Sequence, residues 1–174
     1  KNKNKNKNLI LGREKELNQL KSSLVDCLEN QGSVTLLAGI AGIGKSRILE
    51  EISHYASEAD AEVIWGRCRE EAGAPAYWPW RQLLISHLKH QPLMDAAQTP
   101  ELANLLPELF NNTPSSISNT IEQSPEQTRF KLFHSVANLF RSLSSGKTLV
   151  LIFDDLHRAD KSSLHLLEFI ASEL

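Results

Sequence analysis

Apolar positions along this chain follow two rhythms. From Arg13 to Glu29, Leu17, Leu20, Leu24 and Leu28 recur at three- and four-residue steps, which is one face of a helix. Gly32 is a stop signal for it. The next stretch, SVTLLA (33–38), is short, apolar and β-branched, and it predicts a buried strand. Helical spacing resumes over 44–58 through Ile48, Ile52, Tyr55 and Ala56, and EVIWG (62–66) predicts a second strand. The order strand, glycine-rich loop, helix, strand is a βαβ unit, and such units build parallel sheets.

Beyond residue 66 the rhythm is broken more often. RCREEAGAPAYWP reads as a loop carrying Gly73, Pro75 and Pro79. Pro79 opens a helix running to about His90, and Pro100 opens another reaching about Phe110. NNTPSSISNT (111–120) is a polar loop. Ser124-Pro125-Glu126-Gln127 then makes a helix start, with an N-cap, a proline at the first position and a glutamine reaching back. The helix carries Phe130, Phe133, Ala137 and Phe140 on one stripe, and Gly146 ends it. TLVLIF (148–153) predicts a third buried strand, followed by Asp154 and Asp155. Asp160 can cap a last helix running to Leu174. No internal repeat is visible.

Composition narrows the class. The chain has 174 residues, 41% apolar and 23% charged, which suits one globular domain with a real core. A net charge of −2 gives no global basic field for nucleic acid. Cys27 and Cys68 show no CxxC spacing and read as free thiols in a reducing cytosol, so a cytoplasmic location is expected. No apolar run reaches the ~18 residues of a membrane span, and the polar start is no signal peptide. KNKNKNKN (1–8) has nothing apolar to bury and is expected to be a disordered tail. With no initiating methionine, the chain reads as a fragment.

The candidate chemistry begins at GIAGIGKS (39–46), between the first predicted strand and its helix. Gly39, Gly44, Lys45 and Ser46 satisfy the phosphate-loop spacing, in the context that spacing needs. Glycines let the backbone of Gly39, Ile40, Ala41, Gly42, Ile43 and Gly44 wrap closely, so that amides point at phosphate oxygens. The helix start, through Lys45, Ser46 and Arg47, adds a positive dipole end. Lys45 supplies a point charge to the outer phosphates, and the Ser46 hydroxyl can ligate Mg²⁺. LVLIFDD (149–155) is the matching half: Asp154 is the metal-facing carboxylate, and Asp155 could orient or deprotonate an attacking water. The bland reading of Asp155 is a turn or capping residue.

The segments ILGREKEL, GIAGIGKSR, WGRCREEAGAPAYWPW and LVLIFDDLHRAD together resemble the ATPase domain of STAND-type signalling proteins. This AAA-related branch resembles origin-recognition ATPases and in bacteria heads LuxR-type regulators, nucleotide cyclases or kinases. The resemblance covers residues 9–174, with 67–124 as a helical insertion between strands 2 and 3. It implies an α/β P-loop NTPase three-layer fold with a parallel sheet ordered 5-1-4-3-2. Strands 4 and 5 and the helical lid are absent, so the expectation is a partly open piece with weak ATP affinity. It also implies ATP/ADP and Mg²⁺ as cofactors, and an adenine pocket lined by Ile10, Leu11, Gly12 and Arg13. Read from residues alone, that last segment is an amphipathic helix start.

The implied function is an ATP-binding, slowly hydrolysing regulatory switch, an ATPase only in the sense of the full-length protein. Its partners are nucleotide and downstream domains of the same longer chain, with an oligomer as one form of the ATP state, no membrane, and DNA only through other domains. The alternatives are a DNA-associated AAA-type ATPase and a non-catalytic nucleotide-binding scaffold. Two departures stand out: Arg158 where the family usually has Trp, and Asp155 where fast hydrolysers have Glu, one methylene longer. Tyr77, Trp78, Pro79 and Trp80 are typical of the branch and read as a packing cluster without a chemical role. His87 and His90 have metal-compatible spacing but no third ligand, and read as surface histidines. His157 follows the two aspartates, where it could assist the site, and reads first as structural.

Overall fold

The computed structural model describes residues 12–29, 32–69, 73–89, 99–110 and 124–174. These form two compact units, Lys1–Asp60 and Ala61–Leu174. The expected tail (1–8), the loop at 111–120 and His90 lie outside the described residues.

In the first unit, helix α1 (Glu14–Leu28) packs against helix α2 (Lys45–Glu58). The predicted stripe of α2 buries Ile48, Ile52 and Ala56. On α1 only Leu24 is fully buried, and Leu28 is exposed. Lys21 of α1 places its ammonium 4.8 Å from the ring centre of Tyr55 on α2, a cation–π contact across the pair.

One prediction fails here. Residues 33–38 form no strand, and Val34 and Leu36 stand 51% and 73% exposed. A strand is held by ladder bonds to neighbours, and among the described residues none pairs with this segment. Its apolar, β-branched composition is the mark of a strand, but composition supplies no partner.

The second unit carries the sheet. Strand β1 (Glu62–Arg67) pairs in parallel with strand β2 (Leu149–Asp154), in a register that sets Glu62 against Leu149 and Arg67 against Asp154. Between them come helix α3 (Trp78–Leu88), helix α4 (Pro100–Leu105), a 3-10 turn (Pro107–Leu109) and helix α5 (Pro125–Leu143). After β2 come a second 3-10 turn (Leu156–Arg158) and helix α6 (Lys161–Ser172). The core gathers Trp80, Leu83 and Leu84 of α3, Leu102 of α4, Val136 and Leu139 of α5, Ile64 of β1 and Leu166 of α6. Burying each such side chain contributes about 1.5–3 kcal/mol.

Trp80 is the central piece, 1% exposed, with its ring centre 4.7 Å from Phe153 and 5.9 Å from Phe140. Gly66 makes this packing possible: a Cβ there would lie 2.8 Å from the Phe153 ring.

Helix α5 begins as its sequence dictates. The Gln127 amide donates to Ser124 Oγ at 3.3 Å, and the Ser124 amide donates to Gln127 Oε1 at 3.2 Å. The predicted stripe holds for Phe133, Ala137 and Phe140, but Phe130 is 61% exposed. The start of the helix runs past the edge of the core, and Phe130 rests against His134 with ring centres 4.2 Å apart.

His87 also departs from expectation. Its side chain is buried, with Nδ1 3.6 Å from Glu62 Oε1. The partner is a strand residue distant in sequence, which helical spacing does not reveal.

Candidate functional site

The glycine loop folds as one structure within the first unit. Residues 41–44 turn, and α2 starts at Lys45 with Gly44 as its cap. Gly42 and Gly44 have φ of 76° and 97°, in the left-handed region that a side chain would strain. Open space surrounds both Cβ positions, so the backbone angle and not crowding requires glycine there. Gly39 is different: a Cβ would press to 3.2 Å from Ile43 Cγ2.

The Lys45 ammonium curls back over the loop, donating to Gly39 O at 2.8 Å and to Ile40 O at 3.0 Å. Ile40 and Ile43 are exposed, and Ala41 lies in the turn. The first amides of any α-helix lack intrahelical acceptors, so this end offers N–H groups to an anion. Arg47 does not point its charge at the loop; it pairs with Glu50 at 3.0 Å, one turn along α2. Of the expected adenine pocket, Ile10 and Leu11 lie outside the described residues. Gly12 takes a φ of 81° and donates its amide to Glu14 Oε1, while Arg13 pairs with Glu16 at 2.8 Å.

The acidic pair is built at the end of β2 in the second unit. Asp154 is only 7% exposed, and its Oδ1 accepts the Asp155 amide at 3.0 Å. Asp155 is exposed and sits at φ 56°, ψ 39°. A non-glycine residue there stores local strain, which Asp tolerates better than most. The turn is then closed by the Arg158 amide on Asp155 O at 2.9 Å. Arg158 is exposed, with Nε 3.4 Å from His157 Nε2.

Asp160 caps α6 as predicted, accepting from the Ser163 amide at 2.9 Å and the Ser163 hydroxyl at 2.6 Å. Burial alone would raise its carboxyl. The hydrogen bonds from Ser163 and from the Tyr77 amide outweigh that and hold it below the ordinary aspartate value. Behind the pair, the amide of buried Cys68 donates to Asp154 O at 3.0 Å. The Cys68 thiol is pushed up to about 11 by burial and then by the negative charges of Asp155, Asp160 and Asp154.

A family profile described as "AAA ATPase domain" matches residues 9–174. The chain belongs to this family. The AAA ATPase domain is also similar to an uncharacterized protein of Rhizobium meliloti (strain 1021), at 24% identity over 174 aligned positions. That alignment covers 91% of this chain and 16% of the relative, so the chain spans less than a fifth of the relative's length. No solved structure matches it.

Membership implies nucleotide binding and Mg²⁺ use, and the donor chemistry of the AAA domain suits both. Mg²⁺ in such sites takes few protein ligands and completes its shell with phosphate and water. In the second unit Asp154 is a buried, oriented carboxylate, a donor of the kind such a cation takes. Among the described residues no group of three His, Cys, Asp or Glu could hold a metal. No helix among them is long and apolar enough to cross a membrane.

Sequence reasoning missed how Lys45 is held by its own loop, and it missed the link from Tyr77 to Asp160. The first has a sequence signal in the spacing of Lys45 from Gly39. The second has none, because it rests on a left-handed tyrosine.

Proposed function

We propose that this AAA domain is the ATP-binding part of a regulatory switch within a larger protein, turning ATP over slowly. The loop geometry carries the reading: left-handed Gly42 and Gly44 shape a backbone cradle, and the Lys45 ammonium stands over it, bonded to two of its carbonyls. In this reading the backbone of 39–44 and the first amides of α2 bind the phosphates. Lys45 exchanges its two carbonyl acceptors for phosphate oxygens. Ser46 in the first unit and Asp154 in the second are each a candidate ligand for Mg²⁺, which would neutralise phosphate charge. Asp155 orients water, and Ile10, Leu11, Gly12 and Arg13 lie along the adenine.

A switch works by binding its two nucleotide states with different partners or packing. The length of the Rhizobium relative leaves room for such partners in one polypeptide. The branch of the family, STAND-type and close to origin-recognition ATPases, belongs to the same proposal, as does assembly in the ATP state.

The experiment is an equilibrium titration of full-length protein with MgATP, wild type against Lys45→Ala. Losing a phosphate-facing ammonium should weaken binding on the order of 100-fold. Equal binding by the two proteins, or none by wild type, refutes the reading. Asp155→Asn distinguishes switch from scaffold: a switch becomes trapped with ATP, and a scaffold is unaffected.

A further inference from the structure

We draw no further inference here: the strongest candidate, the surface patch where exposed Phe130 and its neighbour His134 near the start of α5 meet Phe169 of α6, carries nothing because nothing in the structure shows what covers it.

Discussion

Gly66→Ala puts two opposed effects in competition, and the structure decides the sign. Replacing a glycine inside a strand ordinarily stabilises by about 0.4–1 kcal/mol, because the unfolded chain loses freedom. At Gly66 the new methyl would lie 2.8 Å from both Cδ1 and Cε1 of Phe153 and 3.3 Å from Leu83 Cδ1. Phe153 cannot simply swing away, since Trp80 packs on it at 4.7 Å and is itself tied to Ser163 O. Overpacking of this kind costs about 1–3 kcal/mol. The balance is a net loss of about 1–2 kcal/mol.

Urea unfolding followed by tryptophan fluorescence measures it. Trp65, Trp78 and Trp80 all lie in the second unit, so the signal reports on that unit. With a slope of about 2 kcal/mol per M, the midpoint should fall by roughly 0.5–1 M with the slope unchanged. In a Phe153→Val background the ring is gone, and Gly66→Ala should become neutral or stabilising. A midpoint at or above wild type in the native background, or an identical loss in both backgrounds, would refute the packing argument.

Two further outcomes follow from the groups around the acidic loop. At pH 8 a thiol reagent should label Cys27 and spare Cys68, whose buried thiol is raised to about 11; counting labelled thiols before and after urea should give one and then two, and two fast thiols in the native protein would contradict it. The Asp160 carboxyl is held below its ordinary value, so the unfolded chain takes up its proton first and stability rises with pH. The advantage of wild type over Asp160→Asn should therefore be complete above about pH 4 and fade as pH falls through the folded value, read as urea midpoints at several pH values. Parallel curves for the two proteins would sink that assignment.

Much of the local structure was legible because local rules decide it. Ile48, Ile52 and Ala56 repeat at helical spacing and are buried, Ser124 and Gln127 form their reciprocal cap, and Asp160 begins α6. The two strands that pair are apolar runs bounded by polar residues, and the long connection between them is what a parallel pair requires. What failed depends on distant partners. Residues 33–38 have strand composition but no ladder partner among the described residues, Phe130 shares the stripe of Phe133 but lies past the edge of the core, and His87 is buried beside Glu62. At the candidate site the spacing of Gly39, Gly44 and Lys45 pointed to the loop, and the apolar run before Asp154 pointed to a strand end. The left-handed backbone of Asp155 and Tyr77 had no signature, since neither residue type demands it.

The ammonium of Lys45 rests on two carbonyl oxygens of its own loop, those of Gly39 and Ile40. In the proposed reading, an incoming anion must outcompete these two neutral oxygens and not merely meet a waiting charge. Chloride offers a single diffuse charge and no array of oxygens to receive the surrounding amides, so it is a poor rival for those dipoles. A polyphosphate offers several oxygens at once and replaces both carbonyls while engaging the backbone. In the proposed reading, selectivity between salt and nucleotide follows from where this one side chain is held.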